Sequence, residues 1–285
     1  MYRPLKKAIG LAMYLLLFLC TGIQGRAQES AVGSERYMEL VDSADYYISK
    51  ELWNMAEKKL KEALRLEPAN ISNALLLSNL GVVQYQKGEY KKAVDSYSSG
   101  LGLNPSSTVL LNNRAKAFLT LNSVKEAKED IDKSLSIDSI QEWPLQMRGY
   151  IYLYDNDTAN AEKLFKYLHK TFPENALAYS GLADLEERNG NKEEALKLYD
   201  QSLKLDPEDH EVLISKIYLL IDTEKYSEAR TDLKEAIKKF PEEPMFYLLR
   251  GYLHRLNYRN QEAQADKKTA IDKGLDPSYV NQFIP

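Results

Sequence analysis

Three histidines and one cysteine are the residues of this 285-residue chain best suited to nucleophilic or metal chemistry. His169, His210 and His254 stand far apart, and "HEVLI" at 210 lacks the second histidine that would complete a zinc-protease helix. Cys20 is the only cysteine, so an intrachain disulfide and a cysteine-rich metal site are both excluded. "GLGLNP", ending at Pro105, starts like a dinucleotide fingerprint, but proline holds the third glycine's place and no strand precedes it. "DNDTANAEKLFK" begins like a calcium loop, yet Ala159 and Lys166 stand where oxygen ligands are required. Asn70-Ile-Ser and Asn156-Asp-Thr match the N-glycosylation tripeptide, a pattern short enough to arise by chance. We therefore expect no catalytic residue, no cofactor and no metal, and a chain that is not an enzyme. The rival reading is a subunit or assembly factor of an envelope enzyme or secretion complex.

The elements that would position any site are set by a repeat. Alanine recurs at Ala56, Ala93, Ala127, Ala161, Ala195, Ala229 and Ala263, with spacings of 37 and then five times 34. Four residues after each stands Leu60, Tyr97, Ile131, Phe165, Tyr199, Leu233 or Lys267, and twelve before stands Ala44, Gly81, Ala115, Gly149, Ala183, Ile217 or Gly251. Small residues at two fixed points let two helices approach closely, since a bulky side chain at either point would hold the axes apart. Ile217 is expected to widen its pair. Between the helices lie short breakers, Gly88, Asp155-Asn156-Asp157 and Asn189-Gly190-Asn191, which suit antiparallel neighbours. Pro68, Pro105, Pro173, Pro207 and Pro241 close five units; proline disfavours a helical residue before it and is expected to serve the first turn of the next helix.

This pattern resembles the tetratricopeptide repeat family, with its bulky residue, Leu-Gly, Tyr, Ala, aromatic and closing Pro at fixed offsets. Leu77, Leu80-Gly81, Ala93, Tyr97 and Pro105 carry it in the second unit; Leu145, Gly149, Tyr152, Ala161, Phe165 and Pro173 carry it in the fourth. The resemblance implies an all-α fold, a right-handed solenoid of antiparallel helix pairs. Seven repeats are expected at 37–70, 74–107, 108–141, 142–175, 176–209, 210–243 and 244–277, with a tail at 278–285. Their unbroken register reads as one continuous solenoid.

The resemblance also implies where a partner would bind. In the family the first helix of each pair lines a concave face through its positions two, five, nine and twelve. Transferred here with the adjacent sixth position, these offsets point to Asn79, Asn112, Asn113, Lys116, Gln146, Tyr150, Asp184 and Tyr218 as peptide-binding residues, with Trp143 also on the lining face. Amides able to bond a peptide backbone then stand beside aromatics able to cover side chains, which suits a protein or peptide ligand. Chaperone-binding members carry a carboxylate clamp of Lys and Asn. Asp42, Asp45, Val109 and Asn113 occupy the corresponding face here, and only Asn79 matches, which disfavours an acidic chaperone tail.

Met1 to Ala27 has a basic start (Arg3, Lys6, Lys7), a twelve-residue apolar run from Ala8 to Leu19, and Gly25 and Ala27 where a signal peptidase needs small side chains. A spanning helix needs roughly 20 apolar residues, so the run suits a secretory signal at 1–27, followed by a polar linker at 28–36. Export to a bacterial periplasm or cell envelope is the expected localisation. The alternative, an outer-membrane lipoprotein held by lipidated Cys20, has Leu19 where Gly or Ala is required. Four basic residues and no acidic one lie in 1–27, so removing the segment takes the formal charge from −4 to −8. An acidic chain without a concentrated basic stripe disfavours nucleic acid and anionic membrane as partners. Oligomeric state is not legible in the sequence.

Overall fold

The computed structural model describes residues 33–285, so the secretory signal and the lipidation alternative lie outside the described residues. The described chain is helical, without a strand, and divides into two compact units that meet in sequence at Asp157 and Thr158, inside the fourth repeat. The first unit holds α1 (Glu35–Ser49), α2 (Trp53–Leu66), α3 (Asn73–Gln86), α4 (Tyr90–Leu103), α5 (Thr108–Thr120), α6 (Val124–Ile137) and α7 (Glu142–Tyr154). The second holds α8 (Thr158–Thr171), α9 (Ala176–Arg188), α10 (Lys192–Leu205), α11 (His210–Asp222), α12 (Tyr226–Lys239), α13 (Pro244–Leu256), α14 (Asn260–Asp272) and the short α15 (Pro277–Val280). Within each unit every helix packs on the next, and first helices also touch, α3 on α5 and α11 on α13. No described helix is long and apolar enough to cross a membrane.

The repeated small and bulky residues form the core. All seven register alanines are buried, and Leu60, Tyr97, Ile131, Phe165, Tyr199 and Leu233 are each no more than 2% exposed. At Gly81 the reason for a missing side chain is direct: a Cβ there would lie 2.4 Å from a Tyr97 ring carbon. Where Ile217 replaces the small residue, α11 and α12 make fewer close backbone approaches than α9 with α10 or α13 with α14, as its bulk dictates.

Two kinds of turn keep the period. Between the helices of each pair one residue takes positive φ: Glu51, Gly88, Asn122, Asn156, Gly190, Glu224 and Tyr258, in the same register as the alanines. Between pairs, the residue before proline leaves the helix as expected, but proline itself lies outside the first turn of the next helix. Pro105, Pro173, Pro207 and Pro241 precede the next helix by three residues, and in each case the residue two after proline donates its N–H to the carbonyl of the residue before it. That is a four-residue turn with proline second, the position its fixed φ suits. The turn ends on the residue that caps the next helix. Ser107, Asn175, Asp209 and Glu243 each accept a backbone N–H from the first turn of α5, α9, α11 and α13.

The end of the chain folds back. Asp276 caps α15, and Val280 and Ile284 are buried with Leu248, Ala263 and Ala270. Arg255 Nη1 donates to the Phe283 carbonyl at 2.6 Å, and Gln264 Nε2 to the Pro285 carbonyl at 3.0 Å. The last hairpin, whose Lys267 replaces the usual apolar residue, is therefore covered by the segment read from sequence as a tail.

Candidate functional site

The expected binding residues divide by unit and by exposure. In the first unit, Ser107 starts α5 and Gln141 starts α7, which aligns Asn112, Asn113 and Lys116 on one helix with Trp143 and Gln146 on the next. Gln141 ties the two helices. Its Nε2 donates to the carbonyls of Asp138 at 2.7 Å and Ser134 at 3.1 Å, which turns its Oε1 toward Asn112 Nδ2 at 2.9 Å. Asn112 is thereby oriented: its Oδ1 is buried and has no hydrogen-bond partner among the described residues. Its amide holds the repeats together and is not open to a ligand.

Beside it, the Lys116 ammonium stands 4.8 Å from the centre of the Trp143 ring, a cation–π contact between first helices of consecutive repeats. Lys116, Asn113, Trp143 and Asn79 are all half-buried, so each keeps accessible surface. Further along the face, the Tyr85 hydroxyl and Thr120 Oγ1 are 2.9 Å apart, tying α3 to α5. On the other side of α5, Arg114 grips Asp130 of α6 with two bonds of 2.8 and 2.7 Å and donates to Ser98 at 2.9 Å. This pair fixes the rotation of α5 and so aims Asn113 and Lys116.

Gln146 and Tyr150 stand on the same helix as Trp143 but are buried, at 8% and 7% exposure. The aromatic cover on this face comes from Trp143, which sequence reasoning placed on the lining but not among the anchors. Gln141 was missed altogether; its signal was its position immediately before the next first helix. In the second unit, Asp184 accepts the Tyr199 hydroxyl at 2.6 Å, with Glu187 3.1 Å from the same oxygen. Burial first, then the two carboxylates, raise the Tyr199 pKa well above the usual phenol value, so the hydroxyl stays a donor. Asp184 is thus engaged in its own hairpin. Tyr218 is 41% exposed on α11, and burial and then Asp222 raise its pKa, keeping the phenol neutral. Among the described residues no group of three or more His, Cys, Asp or Glu is placed to hold a metal.

The geometry is that of a repeated helical hairpin presenting polar and aromatic side chains from successive first helices. Tetratricopeptide repeat models match residues 74–107 and 109–141 in the first unit, and 147–210 and 215–274 across the remainder. The chain belongs to the tetratricopeptide repeat family. A crystal structure of a tetratricopeptide repeat protein from Parabacteroides merdae superposes with a TM-score of 0.74 at 26% identity, over 88% of this chain and 98% of that one. Hsp70-Hsp90 organizing protein 3 of Arabidopsis thaliana is 25% identical over 80% of this chain and 41% of its own length. Stress-induced-phosphoprotein 1 of Caenorhabditis elegans is 28% identical over 55% of this chain and 48% of its own. The chain spans less than half the length of these curated relatives. Tetratricopeptide repeat proteins are protein-interaction scaffolds.

Proposed function

We propose that this tetratricopeptide repeat chain is a non-catalytic scaffold that binds a protein or peptide segment on the first-helix face of its first unit. The observation that carries the reading is the Lys116–Trp143 contact, flanked by the accessible amides of Asn113 and Asn79. The amides can bond a peptide backbone, the indole can cover an apolar side chain, and the ammonium can meet a carboxylate or carbonyl. The names of the relatives point to chaperone assemblies. Asp42 and Asp45 stand where a carboxylate clamp needs Lys and Asn, so an acidic chaperone tail does not fit this face.

The test is capture from native extract by the immobilised chain, with the bound polypeptides identified by mass spectrometry. Truncating a true anchor costs about 2 kcal/mol. Asn113→Ala combined with Lys116→Ala should therefore weaken capture more than tenfold, with helicity unchanged, while Lys204→Ala should not. Undiminished capture by the double variant would move the ligand elsewhere. Tyr150 is left out because its burial makes its truncation a stability experiment.

The same proposal places the chain in a bacterial cell envelope after removal of Met1–Ala27. Its support is the basic start, the apolar run and the small residues at Gly25 and Ala27. Mass spectrometry of protein from its host should find Gln28 as the first residue. An intact Met1 in the cytoplasm would refute export, and lipid on Cys20 would favour an anchored form.

A further inference from the structure

In the second unit a cavity of about 280 Å³ opens between α12 and α13. Its floor is apolar. Leu233 and Leu253 are 1% and 3% exposed, and Ile237 is half-buried beside them. Its rim is cationic. Arg250 is matched by Asp266 through bonds of 2.9 and 2.6 Å, and Arg259 by Glu262 at 3.2 Å. Arg230 and Lys234, one turn apart on α12, have no carboxylate in an ion pair with either among the described residues.

Both side chains are exposed, so their charges stand open to a ligand at the cavity edge. Like charges four residues apart on a helix repel, and Lys238 continues the row one turn on. The chain as a whole is acidic, so two unmatched cations on the edge of an apolar cavity run against its average charge. His254 also lines the cavity; burial pushes its pKa below the usual imidazole value, against the opposing pull of Asp266, so it adds no positive charge at neutral pH.

We propose that this cavity binds a small amphipathic anion, a single aliphatic chain ending in one carboxylate. The stem lies on Leu233, Ile237 and Leu253, and the headgroup meets Arg230 and Lys234. The apolar floor and the space above it fit a stem of several carbons. Arg supplies a planar fork for a carboxylate and Lys a mobile point charge, so the rim recognises charge while the floor recognises the stem. The site is independent of the proposed protein-binding face.

The experiment is calorimetric titration of the full chain with octanoate, 1-octanol and acetate as separate probes, read in parallel by methyl shifts of Leu233 and Leu253. Octanoate should bind and move those methyls. Octanol, which lacks the charge, and acetate, which lacks the stem, should each bind at least about tenfold more weakly. The Arg230→Gln, Lys234→Gln double variant changes exposed rim atoms only and should lose octanoate affinity by at least the same factor, while Lys204→Gln should not. Octanol binding as tightly as octanoate, unchanged affinity in the double variant, or no octanoate response at millimolar concentration would each overturn the proposal. None of these results bears on capture by Asn113 and Lys116, so the two readings fail separately.

Discussion

In the second hairpin, Gly81 of α3 faces the Tyr97 ring of α4; in the sixth, Ile217 of α11 stands at the register position of Gly81 and Leu233 of α12 at that of Tyr97. The second hairpin gains its close approach by deleting one side chain and filling the space with an aromatic ring, whose atoms come within 2.4 to 2.7 Å of where a Cβ would be. The sixth fills the same layer from both helices with branched aliphatic groups, both essentially unexposed, and its backbones stand further apart. A repeat therefore conserves filled volume in its core, and the helix separation follows from how that volume is shared.

Breaking the sixth hairpin should be most damaging. Ile217→Ala restores the small residue that the register prefers, but Leu233 is too short to refill the space. The expected loss is about 2–5 kcal/mol, through lost burial and the cavity left behind. Hydrogen exchange of the α11 and α12 amides would locate it, since repeat arrays open locally and a single global midpoint is not defined for them. Protection unchanged in α11 and α12 would show that the hairpin collapses around the gap.

The same hairpin carries a pH-dependent cap. Asp209 accepts the N–H groups of Glu211 and Val212 through Oδ1, while its Oδ2 is buried without a partner. Burial, opposed by the Val212 hydrogen bond, raises its pKa from 3.8 to about 6. A folded-state pKa above the unfolded one contributes stability that is fully present below about pH 4 and is lost as pH rises through 6. Asn keeps the cap without the charge. Asp209→Asn should therefore stabilise at pH 7 by up to about 3 kcal/mol, the free-energy equivalent of that shift, and the gain should vanish below pH 4. Hydrogen exchange of the α11 amides at the two pH values checks it; an equal effect at both would assign the gain to packing.

In the second hairpin the corresponding break is overpacking. Gly81→Ala should cost about 1–3 kcal/mol because the ring must shift. Adding Tyr97→Leu should recover part of that loss, since it rebuilds the division of volume seen at Ile217 and Leu233. A double variant no better than the sum of its single changes would show that the ring is not the obstacle.

This comparison marks how much the sequence disclosed. The alanines, the bulky residues four later and the small residues twelve before were legible because packing demands them at every turn of the stack, and Ile217 was legible as their exception. Proline was read as ending one helix and serving the first turn of the next; the turn it makes instead also needs a donor two residues later, and that hydrogen bond is invisible in composition. Val280 and Ile284 were missed because a five-residue stretch has no periodicity, and its burial depends on what the last hairpin leaves uncovered. At the candidate site, the family's offsets pointed to Asn113 and Lys116, which are half-buried and keep accessible surface. They could not show that Asn112 is held by Gln141, that Tyr150 is buried, or that Asp184 is engaged by Tyr199, since each depends on a side chain from another helix.

The smallest effect tests the turns of the two hairpins. Gly88 in the second and Glu224 in the sixth occupy the same register position, with φ of 76° and 58°. A side chain in that region costs roughly 1–2 kcal/mol, because Cβ approaches the following carbonyl oxygen. Glycine avoids the clash but gives the unfolded chain more conformations to lose, which returns roughly 0.4–1 kcal/mol. The difference predicts opposite outcomes of similar size: Glu224→Gly should stabilise its hairpin by about 0.5–1 kcal/mol, and Gly88→Ala should destabilise its own by about as much. No atom lies within 4 Å of a Cβ built on Gly88, so the cost there would be conformational and not a collision. Glu224 is exposed, so its replacement removes no core packing. Hydrogen exchange of the amides flanking each turn, compared between the two variants and the parent, measures both. If Glu224→Gly were neutral or destabilising, the sixth hairpin would tolerate positive φ for a reason other than strain, and the symmetry between the two turns would fail.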